Sequence, residues 1–132
     1  MSAFERARDA VTGDNTGTSS VDIGVDDALG LLANSRRRHV IQALAATSDG
    51  ELHISDVSRR IAAHECDTTP DAVTGEERKR VYVALYQSHL DKLDKAGALE
   101  YTKRSGSITA TPATHVLASI VHDVTTTIGG DV

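Results

Sequence analysis

The sequence predicts a mainly α fold with a small β-hairpin, and three observations carry that expectation. The stretch GEERKRVYVALYQSHLDKLDK keeps apolar residues at helical spacing, behind a Thr74 and Glu77 pair that forms a capping-box signature. Two short β-prone runs, LEYT and ITAT, flank a turn in which Arg104 to Ser107 supply the turn residues. Thr111 and Pro112 then open a last run whose Val116, Leu117, Ile120, Val121, Val124 and Ile128 fall on one helical stripe.

Taken in order, residues 1–24 are rich in Thr, Ser, Gly and Asp with few large apolar groups, and read as a disordered tail. Asp26 is the expected N-cap of DALGLLA. Asn34 or Ser35 caps SRRRHVIQALAAT again, so one first helix bent near Asn34 is expected. SDG at 48–50 is a turn, and ELHI is long enough for one edge strand only. Ser55 is expected to cap SDVSRRIAAHE, with Val57 and Ile61 inward and Arg59 and Arg60 outward. CDTTPDAVTG reads as a loop, a long helix follows over about 74–95, and Gly97 stops it. The order helix, short strand, helix, helix, hairpin, helix is that of a winged helix-turn-helix domain over 25–111, its wing at about 99–111, with an added C-terminal helix over 112–132.

Charge is unevenly placed. The net −5 resolves into −4 over residues 1–34, +2 over 35–64, −5 over 65–77, +4 over 78–104 and −2 over 105–132, so two basic blocks sit inside an acidic chain. The single Cys66 has no partner for an intrachain disulfide, the first twenty residues have no apolar run of signal-peptide type, and no stretch has the length of a membrane span. A cytoplasmic protein without membrane contact is the expectation.

A helix that reads DNA needs an inner face anchored in the core and an outer face of side chains that reach base edges. On a regular wheel, Val81, Tyr82, Val83, Leu85, Tyr86, Leu90 and Leu93 cover an arc of roughly 200°, while Arg80, Ala84, Gln87, Ser88, Asp91 and Lys95 fill the rest. Arg80, Gln87 and Ser88 are the candidate base contacts. Arg78 and Lys79 at the helix start, with Lys103 and Arg104 at the tip of the wing, are the candidate phosphate contacts. The apolar arc exceeds the stripe of a little over 100° that a single core contact requires, so a second cover over Val83 or Leu90 is expected. Arg36, Arg37 and Arg38 splay around their helix, which leaves phosphate contact and pairing with Asp26, Asp27 or other acidic residues both open. The stripe from Val116 to Ile128 is assigned to self-association in a homodimer, against packing on its own domain as the alternative.

Enzymatic readings find little support. The histidines at 39, 53, 64, 89, 115 and 122 form no HExxH, and His64 with Cys66 lacks the further ligands of a zinc site. Glu65 and Asp67 beside Cys66 are expected to raise its pKa. No catalytic residues, cofactor, metal or small-molecule ligand are expected. Double-stranded DNA and a second copy of the chain are the expected partners of a transcriptional regulator, with a winged-helix protein-interaction module as the alternative.

The blocks DALGLLANSRRRHVIQAL, ISDVSRRIAAHE and ERKRVYVALYQSHLDKLDKAGALEY resemble the signature blocks of a haloarchaeal winged-helix domain family, over about residues 26–111. Tyr82, Leu85, Tyr86, His89, Leu90, Leu93 and Gly97 carry the specific part. Ten Arg against four Lys and thirteen Asp against six Glu also resemble the composition of proteins from salt-loving archaea. The resemblance implies a winged-helix fold and, by analogy, archaeal transcription regulation. The chain departs from the family pattern at Asp91, where relatives often have Pro and where an acidic group opposes phosphate. His89 falls inside the apolar arc and reads as a hydrogen-bonded core histidine.

Overall fold

A computed structural model describes residues 22–129. The tail expected over residues 1–24 therefore lies outside the described residues, apart from its last three, of which Ile23 packs half-buried against the core.

Helix α1 spans Val25–Leu31 and α2 spans Ser35–Ala45, two helices in place of one bent helix. The break follows from Asn34, whose extended backbone leaves its side chain free to accept from the Arg36 and Arg37 amides and start a new helix. Asp26 is not the cap of α1. Gly24 holds that position without a side-chain bond, and Asp26 and Asp27 lie in the first turn, where the positive end of the helix favours acidic groups.

Strand β1 (Glu51–His53) leads directly into α3 (Ile54–Glu65). His53, not Ser55, caps α3: its Nδ1 accepts from the Ser55 amide at 3.1 Å. A short 3-10 turn at Pro70–Ala72 interrupts the following loop. Helix α4 (Gly75–Ala84) begins with the expected capping box, in which the Glu77 amide donates to Thr74 Oγ1 at 3.1 Å and the Thr74 amide to Glu77 Oε1 at 3.0 Å. It runs through a π turn at Leu85–His89 into α5 (Leu90–Lys95), and Gly97, at φ +78, ends it.

The π turn explains the wide apolar arc. Val81, Leu85, Leu90 and Leu93 are separated by four, five and three residues. In a regular helix the five-residue step would throw Leu90 about 140° away from Leu85, whereas the extra residue of a π turn absorbs the excess. All four are buried on one side, so Leu90 needs no second cover, and Val83 is left 37% exposed.

Strands β2 (Leu99–Thr102) and β3 (Ser107–Ala110) form the hairpin, and β1 adds to it antiparallel in the order β1-β3-β2. Leu52 and Tyr101 both face Ile108 in register. The turn falls at 103–106, within the KRSGS stretch, with Lys103 rather than Ser107 among its residues, and Gly106 supplies its left-handed backbone at φ +79. Helix α6 (Pro112–Ile128) is tied to the end of α5 by Thr111 Oγ1 donating to Gly97 O at 2.8 Å and Thr114 Oγ1 donating to Ala98 O at 2.6 Å.

Helix α6 packs along α2. This corrects part of the self-association stripe: Leu117 and Val121 are buried in the chain's own core, together with Ala113 and Thr114. Val116, Val124 and Ile128 remain exposed, and Ile120 is half-buried.

Candidate nucleic-acid interface

The long helix formed by α4, the π turn and α5 packs on α3 through α4 and on β2 through α5, which leaves one stripe of α4 and the π turn outward. Lys79, Arg80, Val83, Tyr86 and Gln87 are exposed along it. Arg78 and Ser88 are half-buried. Lys79, Arg80 and Gln87 are therefore the sequence-assigned residues that the fold gathers on one open face. Among the described residues none of the three has a hydrogen-bond or ion-pair partner.

The start of α4 is less open to phosphate than its charge suggests. Glu77 closes the capping box, Glu76 stands beside it, and the acceptors bound to the Thr74 and Glu77 amides leave that end of the helix already served. The hydrogen bond from the Thr74 amide, followed by that from Cys66, holds the Glu77 carboxyl below its usual pKa. Cys66 is exposed, and its thiol is raised first by desolvation and then by Glu77. The direction matches the sequence expectation, but the main carboxylate involved is Glu77 from the next helix rather than Glu65.

The hairpin is drawn back onto the domain. His53 Nε2 donates to Ser105 O at 2.9 Å, since Nδ1 is occupied as the acceptor for Ser55, and the Ile54 amide donates to Gly106 O at 2.9 Å. Gly106 is packed so closely that a Cβ there would lie 2.7 Å from His53 Nε2. Of the two candidate wing cations, Lys103 turns toward the long helix, its Nζ 4.9 Å from the centre of the Tyr86 ring, and Arg104 is exposed at the tip. Tyr86 in turn stacks on Tyr82, with ring centres 6.3 Å apart and planes 12° apart. Tyr101 lies within range of both rings; burial first and then the two tyrosines raise its pKa, and its buried hydroxyl has no partner among the described residues. Sequence reasoning placed Tyr82 and Tyr86 in the core arc and missed this cluster. The only signal for it is that all three tyrosines of the chain fall between residues 82 and 101.

Asp91 is half-buried and pairs with Lys95 at 3.1 Å, so the acidic group on α5 carries its own counter-charge.

The other basic cluster is fully engaged. Arg36 makes a two-pronged bond to Glu65, at 2.8 and 2.9 Å. Arg37 donates to Leu31 O at 2.7 Å, to Gly30 O at 3.1 Å and to His89 Nδ1 at 3.1 Å, and Arg38 donates to Leu32 O at 2.7 Å. Cations and open carbonyls meet at the C-terminal end of α1, where both charge and hydrogen bonding favour them. Asp26 and Asp27 are not their partners. His89 accepts from a guanidinium, which requires its neutral form, and burial followed by the Arg37 charge lowers its pKa. The hydrogen bond expected of His89 is there, but the ring is half-buried at the edge of the core rather than inside it.

A family model described as a domain of unknown function, DUF7344, matches residues 29–109, more than half of the chain. The chain belongs to this family. The DUF7344 match takes in the long helix, the arginine triple and nearly all of the hairpin, while α6 lies beyond it. No curated protein and no solved structure matches the chain.

A second surface straddles the edge of the DUF7344 match. Leu29 and Leu32 from the matched part, with Ile120, Val124 and Ile128 from α6, line an apolar groove of about 290 Å³. Five of the seven exposed large apolar side chains among the described residues belong to α1 or α6. Among those residues no three His, Cys, Asp or Glu gather as a metal-binding group, and no helix is long and apolar enough to cross a membrane.

Proposed function

We propose that this DUF7344 protein is a DNA-binding transcriptional regulator that acts as a homodimer in the cytoplasm. The observation that carries the reading is the open stripe of α4. Among the described residues the side chains of Lys79, Arg80 and Gln87 have no hydrogen-bond or ion-pair partner, on a helix whose other side is anchored by Val81, Leu85, Leu90 and Leu93, beside a hairpin that carries Arg104. Arg pairs with the guanine edge and Gln with the adenine edge in the major groove, so this face offers the two commonest bidentate contacts. Lys79 and Arg104 hold phosphate, and Arg78 and Ser88, half-buried, serve at the margin of the contact.

Homodimerisation is supported by the groove between α1 and α6. A second copy placing its own Leu29, Val124 and Ile128 there covers three of the seven exposed large apolar side chains of the described residues in a self-complementary contact. Leu29→Asp with Val124→Asp alters only exposed positions, so monomers of unchanged thermal stability are expected by light scattering; a persistent dimer rejects the groove as the seam.

The test of the DNA reading is recovery of DNA crosslinked to the tagged protein in its own cells, compared with an Arg80→Ala, Gln87→Ala variant. Discrete shared sites that the variant loses are the expected result. No enrichment, with a stable protein partner recovered through the same helix face, would replace this reading with that of a protein-interaction module.

A further inference from the structure

The middle of the open stripe is apolar. Val83 follows Arg80 by one turn of helix and precedes Gln87 by another, and it is 37% exposed although every neighbour it has on that stripe is polar or aromatic. The regular wheel calls for a second cover over Val83 or Leu90; the π turn draws Leu90 into the core and leaves Val83 outside it. A β-branched side chain also lowers the helix propensity of an exposed position, and Val83 is not among the side chains packed on the core.

A major groove presents one apolar group, the C5-methyl of thymine, and an apolar side chain on a reading helix is its natural contact. Resting on the DNA-binding reading above, we propose that Val83 recognises a thymine methyl and that the preferred duplex carries thymine between the bases met by Arg80 and Gln87. Seven residues separate Arg80 from Gln87, a rise of about 10 Å along the helix axis. That corresponds to about three base-pair steps at 3.4 Å each. The favoured half-site is therefore a run of about four base pairs offering guanine, thymine and adenine edges in that order along the groove. Tyr86 is exposed on the same stripe, but its ring already stacks on Tyr82 and lies under Lys103, which leaves Val83 as the aliphatic group between Arg80 and Gln87.

The full chain is used to select duplexes from a randomised pool, and each thymine of the enriched sequence is then replaced in turn by uracil, which removes the methyl and leaves every hydrogen-bonding group in place. At one position the wild-type Kd is expected to rise about fourfold, the worth of one buried methyl. Val83→Ala is expected to bind the thymine duplex more weakly and to lose most of its sensitivity to that replacement, with an unchanged melting temperature. Wild-type affinity unaffected by uracil at every position, or an equal loss in Val83→Ala, overturns the role of Val83 while leaving DNA binding intact. A pool from which no sequence is enriched overturns the DNA-binding reading and this inference with it.

Discussion

The chain carries two basic clusters that look alike as strings, Arg36-Arg37-Arg38 and Arg78-Lys79-Arg80, and the fold treats them differently. The first sits where α1 ends, and its guanidinium groups meet the carbonyls of Gly30, Leu31 and Leu32, the His89 ring and the Glu65 carboxylate. The second sits on the first turns of α4, where the nearby acidic group, Glu77, is already bound to the Thr74 amide, and Lys79 and Arg80 are left facing solvent. Density of positive charge is therefore a poor guide to a nucleic-acid contact. What distinguishes the clusters, among the described residues, is whether acceptors are hydrogen-bonded to their side chains.

The largest expected effect separates the clusters by function. Lys79→Glu with Arg80→Glu should weaken duplex binding at least about a hundredfold, by removing two cations and adding repulsion, with a melting temperature close to wild type because both side chains are exposed. A large loss of stability in that variant would place these residues in the structural class after all. Next comes Arg37→Ala, which strands the Leu31 carbonyl and the His89 ring nitrogen, while Gly30 O keeps the Ala33 amide, and should cost about 1–3 kcal/mol in urea denaturation. Arg36→Ala removes only a partly exposed pair with Glu65 and should cost about 1 kcal/mol or less. Equal costs at 36 and 37 would show that helix-end capping contributes nothing beyond charge pairing.

The smallest effect is that of pH. His89 is held below its ordinary value of 6.5, first by burial and then by Arg37, so below about pH 6.5 the unfolded chain takes up a proton that the folded chain refuses. Stability should be complete above that pH and decline as pH falls toward the folded value. The urea midpoint is expected to be lower at pH 5.5 than at pH 7.5, and His89→Gln should shrink the difference. His39, shifted in the same direction mainly by burial and then by His64, supplies the remainder.

These clusters also mark how far the sequence could be read. The order of elements was legible because local chemistry settles it: the Thr74 and Glu77 box, Gly97 beyond the long helix, and Thr111 with Pro112 at the start of α6 all act within four residues of chain. The π turn was not, because a wheel at a fixed step has no place for an extra residue, although the five-residue gap between Leu85 and Leu90 recorded it. His53 escaped notice as a cap because a ring nitrogen is an unusual acceptor at that position, and its second bond depends on the hairpin folding back. Of the candidate site, Arg80 and Gln87 followed from the wheel, and Lys79 from its place at the helix start. The turn of Lys103 onto Tyr86 and the burial of Leu117 and Val121 are tertiary contacts that periodicity does not encode.

The most direct measurement of the central claim is the salt dependence of binding to a duplex, compared among wild type, Lys79→Ala with Arg80→Ala, and Arg36→Ala. Each lost phosphate contact should lower the slope of log affinity against log salt by about one. The account predicts a shallower slope in the Lys79 and Arg80 variant and a wild-type slope for Arg36→Ala. A slope unchanged at 79 and 80, or reduced equally at 36, would contradict the assignment of α4 as the DNA-contacting helix.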